Sequence, residues 1–193
     1  MTETALTPQT LTGTYAVDPA HSTFAFVARH AMVTKVRGSF QEFEGAITVD
    51  GDEPPRSSGW LRIAATSINT GNEQRDGHLR SNDFFDMENH TEITFQSTGI
   101  ESLSETEYRV TGDLTIKGVT KPVTLEAVFT GTAVDPFGNV RIGFEAKTVV
   151  NRKDWGVNWN AQLEAGGVLV SEKVTLEVDI SAIKLASDGD ASA

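Results

Sequence analysis

The 193-residue chain contains no cysteine and no long hydrophobic run. Without cysteine the fold cannot rest on disulfides, and thiolate catalysis and cysteine-bound metals are excluded. No segment approaches the roughly 20 consecutive apolar residues of a membrane-spanning helix. A chain of this length buries enough apolar surface for one domain to be held together by its core alone.

Basic residues are also scarce, since 16 Lys and Arg stand against 27 Asp and Glu and leave a formal net charge of -11. A surface of this sign repels phosphate backbones and anionic headgroups, which argues against nucleic acid as a partner. The acidic residues are spread along the chain, as on a solvated surface. The first eleven residues have neither the basic start nor the apolar core of a signal peptide, so a cytoplasmic location is expected.

What the chain does contain is repeated alternation of polar and apolar residues over short segments, which is typical of half-buried β-strands. Turn-forming residues separate these segments. The pattern predicts an all-β fold, an antiparallel barrel or sandwich, in one domain over residues 13–185. Residues 1–12 and 186–193 are expected to be flexible tails. The predicted strands cover residues 14–17, 22–29, 36–49, 59–65, 92–97, 108–117, 123–129, 141–150 and 173–182.

One charged stretch, residues 67–86, breaks the alternation. Thr70 and Glu73 have the spacing of a capping box, which satisfies the first free N–H groups of a helix. The stretch is therefore predicted to form a short helical cap at the mouth of a barrel or over a sheet edge.

Two arginines of this cap are candidates for holding it in place. Arg75 and Asp76 are adjacent, so on a helix their side chains point about 100° apart and do not pair with each other. Arg75 or Arg80 is expected to hold the helix on the barrel rim through a carboxylate. Contact with the polar head of a ligand is the alternative.

Large aromatic residues concentrate on the face of the strands that is predicted to point inward. A closed barrel of about eight strands has an interior that side chains fill or that holds one small ligand. The number of strands and the helical cap favour a barrel over a sandwich. Alternation alone leaves open whether these phenylalanines pack a solid core or line a cavity: Phe24, Phe26, Phe40, Phe95, Phe129 and Phe144.

Histidine-based chemistry has little support. The four histidines form no HxH or HxxxH pair, so no metal site is predicted. Asp18, His21 and Ser22 supply the residue types of a catalytic triad, but a triad needs side chains that converge from separate elements. Asp18 or Ser22 is instead expected to bond to backbone in the turn before a strand.

A pair of tryptophans, Trp155 and Trp159, stands four residues apart in a predicted loop. Such a pair either plugs one end of a barrel or, if exposed, binds a sugar or lipid. Plugging is the favoured interpretation.

The order of several short motifs resembles the YceI-like family over roughly residues 14–184. Each motif is weak alone, but their order and spacing together are specific. Trp155 stands where the family usually has Phe. The matching motifs are Tyr15-x-Val17-Asp18-Pro19-x-His21-Ser22, Gly38-x-Phe40-x-x-Phe43-x-Gly45, Ser67-Ile68-Asn69-Thr70-Gly71, Arg75-Asp76-x-His78-Leu79-Arg80-Ser81, Asp83-Phe84-Phe85, Ile93-Thr94-Phe95, Gly112-x-Leu114-Thr115-Ile116-Lys117-Gly118-Val119-Thr120-Lys121, and Arg152-x-Asp154-x-Gly156-Val157.

The resemblance implies an extended lipocalin-like barrel of eight antiparallel strands with a helical cap, and a long polyisoprenoid or similar lipid or quinone bound inside it. It also implies a homodimer. No cofactor beyond that apolar ligand is expected. The function expected is non-enzymatic transport or storage of the apolar chain, and the residues predicted to bind it are Phe24, Phe26, His30, Phe40, Leu61, Ile63, Phe95, Leu114, Ile116, Leu125, Phe129, Phe144, Trp155 and Leu176.

Two other functions stay open at this point. A barrel packed solid would be an interaction module without an internal ligand. An enzyme acting on an apolar substrate would use His21, His30, Arg75 or Asp76 for acid–base chemistry.

Overall fold

The computed structural model describes residues 8–186 of the chain. A single helical turn, α1 (Pro8–Leu11), precedes the strands, and a two-turn helix, α2 (Glu73–Arg80), lies among them. No helix within the described residues is long and apolar enough to cross a membrane. The strands are β1 (Gly13–Val17), β2 (Thr23–His30), β3 (Thr34–Phe40), β4 (Phe43–Val49), β5 (Ser58–Ala64), β6 (Ile68–Asn69), β7 (Glu92–Ser102), β8 (Glu107–Ile116), β9 (Val119–Val134), β10 (Val140–Asn151) and β11 (Lys173–Lys184).

The sheet closes on itself because β1 pairs with both ends of the ladder, with β4 on one side and β11 on the other. Strand β2 continues β1 past a short break, since it also pairs with β11. In the same way β3 continues β4, and β6 continues β5. When each of these pairs is taken as one interrupted strand, the molecule is an eight-stranded closed antiparallel barrel, as predicted.

The predicted strand over residues 36–49 is in fact two strands. The break falls at Gln41 and Glu42, whose N–H groups both donate to Ser67 Oγ, at 3.1 and 3.0 Å. These side-chain bonds replace ladder bonds, so the backbone leaves the strand conformation between β3 and β4.

Helix α2 starts differently from the prediction. Its N-cap is Asn72, whose side chain accepts a hydrogen bond from the N–H of Arg75 at 2.9 Å. The predicted capping box of Thr70 and Glu73 is therefore wrong. Thr70 instead donates both its N–H and its hydroxyl to Oδ1 of Asp76, which is 6% exposed. This buried carboxylate ties the first turn of α2 to the segment before it.

The two arginines of α2 also bind other partners than predicted. Arg75 donates to the hydroxyl and the carbonyl of Thr70, at 2.7 and 2.9 Å. Arg80 donates to the carbonyls of Thr66 and Ile68, both at 3.0 Å. The expected carboxylate partner is wrong, because the Thr70 hydroxyl and backbone carbonyls in and beside the short strand β6 accept these bonds instead.

Buried apolar residues gather at the two ends of the barrel. Tyr15, with Ile142 and Ala182, forms the cluster beneath α1, and Leu11 packs against it. The Tyr15 hydroxyl donates to the carbonyl of Leu11 at 2.8 Å. Packing thus begins within the segment predicted as a tail, while residues 1–7 and 187–193 lie outside the described residues. The cluster beneath α2 contains Ile63, Ile68, Met87, Ile93, Leu114 and Trp155.

Candidate functional site

The barrel encloses a cavity of about 760 Å³ whose wall is mainly apolar. That volume lies within the range of about 300–1,000 Å³ that is usual for small-molecule sites. The structure places thirteen of the fourteen predicted residues on its wall: Phe24, Phe26, Phe40, Leu61, Ile63, Phe95, Leu114, Ile116, Leu125, Phe129, Phe144, Trp155 and Leu176.

The inward-facing phenylalanines do not pack into a solid core. Phe95, Phe129 and Phe144 are only half-buried, although all three line the cavity wall. Phe129 and Phe144 touch each other at a centroid distance of 5.3 Å and still face open space. The interior is therefore hollow.

Two of the lining aromatic rings lie across glycines on the neighbouring strand. Phe26 pairs directly with Gly38, and a Cβ on that glycine would overlap the Phe26 ring. Phe95 lies over Gly112 in the same way. Because glycine has no side chain, each ring can lie flat along the wall and leave the centre of the barrel empty.

His30 is not part of the cavity wall. It is exposed at the end of β2, where its backbone bridges to Val170. Alternation puts His30 on the same face as Phe24 and Phe26, but β2 runs past the end of the barrel before it turns. The structure therefore does not place His30 on the cavity wall with the other thirteen predicted residues.

A 3₁₀ turn, Arg152–Trp155, closes the end of the cavity beneath α2. Trp155 is 2% exposed, and its indole N–H donates to the carbonyl of Leu114 at 2.9 Å. A phenylalanine could not make this bond. Gly156 ends the turn with φ 75°, a left-handed conformation that glycine adopts without strain. Trp155 thus plugs one end of the barrel, while Trp159 packs outside against His78 and Phe84.

Arg152 is the one cation on the cavity wall within residues 8–186. It is 7% exposed, and its guanidinium donates to the carbonyls of Val157, Ser171 and Val170 at 2.6, 2.9 and 3.4 Å. Burial lowers the pKa of Arg152 from its ordinary value, and the negative charge of Glu172 opposes this shift. An arginine nevertheless stays protonated in proteins.

The opposite end of the cavity has a polar rim. It is formed by the loop after β4 and the loop between β7 and β8, and Glu105 on it is exposed. Strand β8 separates the two ends, since the distance from Glu107 to Leu114 along a strand is about 23 Å. This polar rim consists of Asp50, Gly51, Ser57, Ser104 and Glu105.

Several wall residues were missing from the predicted set. Leu79, Phe84 and Phe85 come from the helical cap, and Tyr108 and Arg152 come from the ends of the barrel. The adjacent pair Phe84 and Phe85 is visible in the sequence and could have marked this segment as part of the wall. Strand alternation does not apply to a helical segment, so it could not assign them a face.

The residues with the types of a catalytic triad do not form one. Asp18 accepts from the N–H of Ala20 and contacts His21 Nδ1 at 2.8 Å. Ser22, however, exchanges hydrogen bonds with the backbone of Ser181 on β11. Its hydroxyl thus replaces ladder bonds at the break between β1 and β2.

Asp18 belongs to a charged network that also contains Asp135 and Arg141. Arg141 lies between the two carboxylates, at 2.7 Å from Asp18 and 2.9 Å from Asp135. The bond from Arg141, followed by that from His21, lowers the pKa of Asp18 to about 2. The Asn139 amide, with help from Arg141, holds the pKa of Asp135 well below its ordinary value. Within the described part of the chain, no group of histidines and carboxylates has the arrangement of a metal site.

Acid is expected to weaken the barrel partly through this network. The pKa of Asp18 is lower in the folded state than its ordinary 3.8, so its contribution to stability is present above about pH 4 and is lost as the pH falls towards about 2. In Arg141→Gln the folded pKa rises towards the unfolded one, so stability should fall less steeply over this window. Urea denaturation across the window measures the effect.

The matched control for this prediction is Arg62→Gln, which removes an equally charged arginine whose partners Glu44 and Glu92 are exposed. Its acid dependence should match that of the wild type. An Arg141→Gln protein with the full wild-type acid dependence would contradict the prediction.

Comparison with known proteins places the chain in a family. The YceI-like domain matches residues 15–182. A UPF0312 protein of Staphylococcus aureus strain N315 is 39% identical over 164 residues, which are 84% of this chain and 93% of the relative. The curated name of that relative states no ligand or activity.

Solved structures share the fold. Burkholderia cenocepacia BcnA superposes with a TM-score of 0.76 at 22% identity, over 86% of this chain and 98% of its own. A Campylobacter jejuni YceI protein gives 0.72 at 26% identity, over 82% and 90%. A polyisoprenoid-binding domain from Saccharophagus degradans gives 0.66 at 16%, over 89% and 98%. With a family match that spans most of its length and a barrel shared with these structures, the chain belongs to the YceI-like family.

Proposed function

We propose that this protein binds one long apolar chain, a polyisoprenoid or a similar lipid or quinone, inside its barrel and carries or stores it without chemical change. The observation that carries the proposal is the hollow, apolar interior of about 760 Å³. The Saccharophagus degradans neighbour, described as a polyisoprenoid-binding domain, supports the same ligand class.

The energetics of transfer from water suit such a ligand. Each buried methylene contributes about 0.8 kcal/mol, so ten contribute about 8 kcal/mol before opposing terms. That is on the order of micromolar affinity. At about 30 Å³ for each water-sized group, the cavity has room for roughly 25 such groups. A chain of this length offers ample binding free energy even after the cost of ordering it is subtracted.

The two alternatives have less support. An interaction module with a solid core requires a barrel without a cavity, and this barrel is hollow. The residues suspected of acid–base chemistry are His21, His30, Arg75 and Asp76, and none of them lies on the cavity wall. Arg75 and Asp76 both bond to Thr70 and support the helix instead.

Native mass spectrometry of the full chain tests the proposal. The protein is stripped of lipid, incubated with a polyprenol of about five isoprene units, and weighed without denaturation. We expect one ligand per chain. A mass that does not change over a range of polyprenols and fatty alcohols would contradict the carrier function.

A cavity-filling variant makes the same test specific to the interior. Leu125→Trp places a larger ring on the cavity wall and should weaken binding about tenfold, which corresponds to the loss of roughly two buried methylenes. Val128→Trp adds the same ring to the outer face of β9, where Val128 is 41% exposed, and should bind as the wild type does. Equal affinities for the two variants would place the ligand outside the barrel.

A further inference from the structure

The positive and negative residues of the cavity wall lie at opposite ends of the cavity. Arg152 is its one cation within the described chain, and it is buried at the end closed by Trp155. The other two charged wall residues are Asp50 and Glu105, both on the polar rim at the opposite end. The space between them is lined by apolar strands.

The guanidinium of Arg152 has unused hydrogen-bonding capacity. Arginine has five N–H donors, and three are used, all by backbone carbonyls. No carboxylate of residues 8–186 lies within ion-pair distance of it, and Glu172, the acidic residue whose charge acts on it, is paired with Lys153. Two of its N–H groups therefore have no hydrogen-bond partner among residues 8–186, and its positive charge has no anion within ion-pair distance there.

A buried cation without a counter-ion is unfavourable in an apolar protein interior. The hydrogen bonds from Arg152 to backbone carbonyls offset part of this cost, and they also hold the loop at residues 157–171 in place. An anionic ligand group would offset the rest, since charge-assisted bonds from a guanidinium to carboxylate or phosphate are strong and directional.

We propose that Arg152 binds an anionic oxygen head group, a carboxylate or a phosphate, on the apolar chain, so that the chain lies in the barrel head-first. The tail then extends along the wall towards the rim, where Asp50 and Glu105 repel an anionic head. This inference rests on the proposed binding function and names the head group and the orientation of its ligand.

Four probes with one sixteen-carbon tail test the head group: hexadecanoate, hexadecyl phosphate, hexadecanol and hexadecylamine. Each is titrated calorimetrically into the delipidated full chain at mildly alkaline pH. We expect the two anions to bind at least about tenfold more tightly than the alcohol, and the amine to bind more weakly than the alcohol. Tighter binding of the phosphate would indicate a prenyl-phosphate type of ligand, and tighter binding of the carboxylate a fatty-acid type.

Variants then assign the preference to one residue. Arg152→Met keeps a long side chain without charge, and it should bind hexadecanoate and hexadecanol equally while it retains the affinity for hexadecanol. Lys153→Met removes the neighbouring exposed cation and should keep the wild-type preference. A role of Arg152 limited to holding the loop would alter affinity for both probes without changing their ratio.

Orientation is measured in a chain with intact Arg152, so the result does not depend on the folding of the Arg152 variant. The chain has three tryptophans, and Trp60→Phe with Trp159→Phe leaves Trp155 as the only one. Because Trp155 and Arg152 share one 3₁₀ turn, bromine at carbon 2 of hexadecanoate should quench Trp155 more strongly than bromine at carbon 16. Stronger quenching by the carbon-16 probe would overturn the head-first proposal.

The outcomes separate the two proposals. Equal affinity of the wild type for hexadecanoate and hexadecanol would overturn the role of Arg152 and leave the carrier function standing. Failure of all four probes to bind would overturn the carrier function, and the head-group proposal with it.

Discussion

Replacing Gly112 with alanine is expected to lower the free energy of unfolding by about 1–3 kcal/mol, the usual range for overpacking a fitted site. A Cβ at this position would overlap the ring of Phe95 and lie 2.6 Å from the backbone oxygen of Gln96. The ring can move only towards the cavity, and the backbone oxygen belongs to the β7–β8 ladder. Urea denaturation of the two proteins measures the difference.

The chain offers a matched control on the same pair of strands. Gly99 on β7 has open space where a Cβ would be, so Gly99→Ala should change stability by less than about 0.5 kcal/mol. The Gly112 variant should also bind a long chain more weakly, because the displaced ring occupies part of the cavity. Equal stability of the two variants would mean that Phe95 does not need Gly112 beneath it.

Removal of the Asp76 carboxylate should have an effect of similar size. In Asp76→Ala, the N–H and the hydroxyl of Thr70 lose their common acceptor, and hydrogen bonds to a charged group contribute about 1.5–3 kcal/mol. We expect the free energy of unfolding to fall by about 2–3 kcal/mol. Leu79, which α2 contributes to the cavity wall, should become more mobile, and amide hydrogen exchange should rise across the helix.

Glu73→Ala is the control for Asp76→Ala. It removes an exposed carboxylate from the same first turn, so it loses the favourable interaction with the helix dipole, worth under about 1 kcal/mol, but no buried bond. A comparable loss of stability in both variants would show that charge at the helix N-terminus, rather than the bonds to Thr70, is responsible. If Asp76→Ala kept its stability, the carboxylate would not be needed to support the helix, and Asp76 would again be a candidate for acid–base chemistry.

Much of the cavity wall could be predicted because a strand has a period of two residues. Once Phe24 and Phe26 are taken as inward, the face of the whole strand follows, and the same holds for Leu114 and Ile116 on β8. His30 shows the limit of this rule. Alternation states which face a residue is on, but it does not state where along the strand the barrel ends.

Local sequence patterns predicted the N-cap of α2 and the partners of its arginines less reliably, because several nearby groups can fill each of these roles. Thr70 and Asn72 are both good N-cap residues, and the choice between them depends on Asp76, whose carboxylate occupies Thr70. The partners of Arg75 and Arg80 could not be predicted for the same reason. They are the Thr70 hydroxyl and backbone carbonyls in and beside the short strand β6. No sequence pattern marks a carbonyl as the acceptor of a distant arginine.

The sequence by itself determined the all-β class, the approximate positions of most strands along the chain, most of the strand residues that face inward and the family of the chain, because alternation and ordered motifs are properties of the chain alone. Only the tertiary structure decided that the interior is hollow, that Trp155 rather than Trp159 closes one end, and that Arg152 is a buried cation on the cavity wall. The same inward phenylalanines would suit a solid core or a cavity. Closure of eight strands sets the space between them, and Gly38 and Gly112 let two of the rings lie flat against the wall.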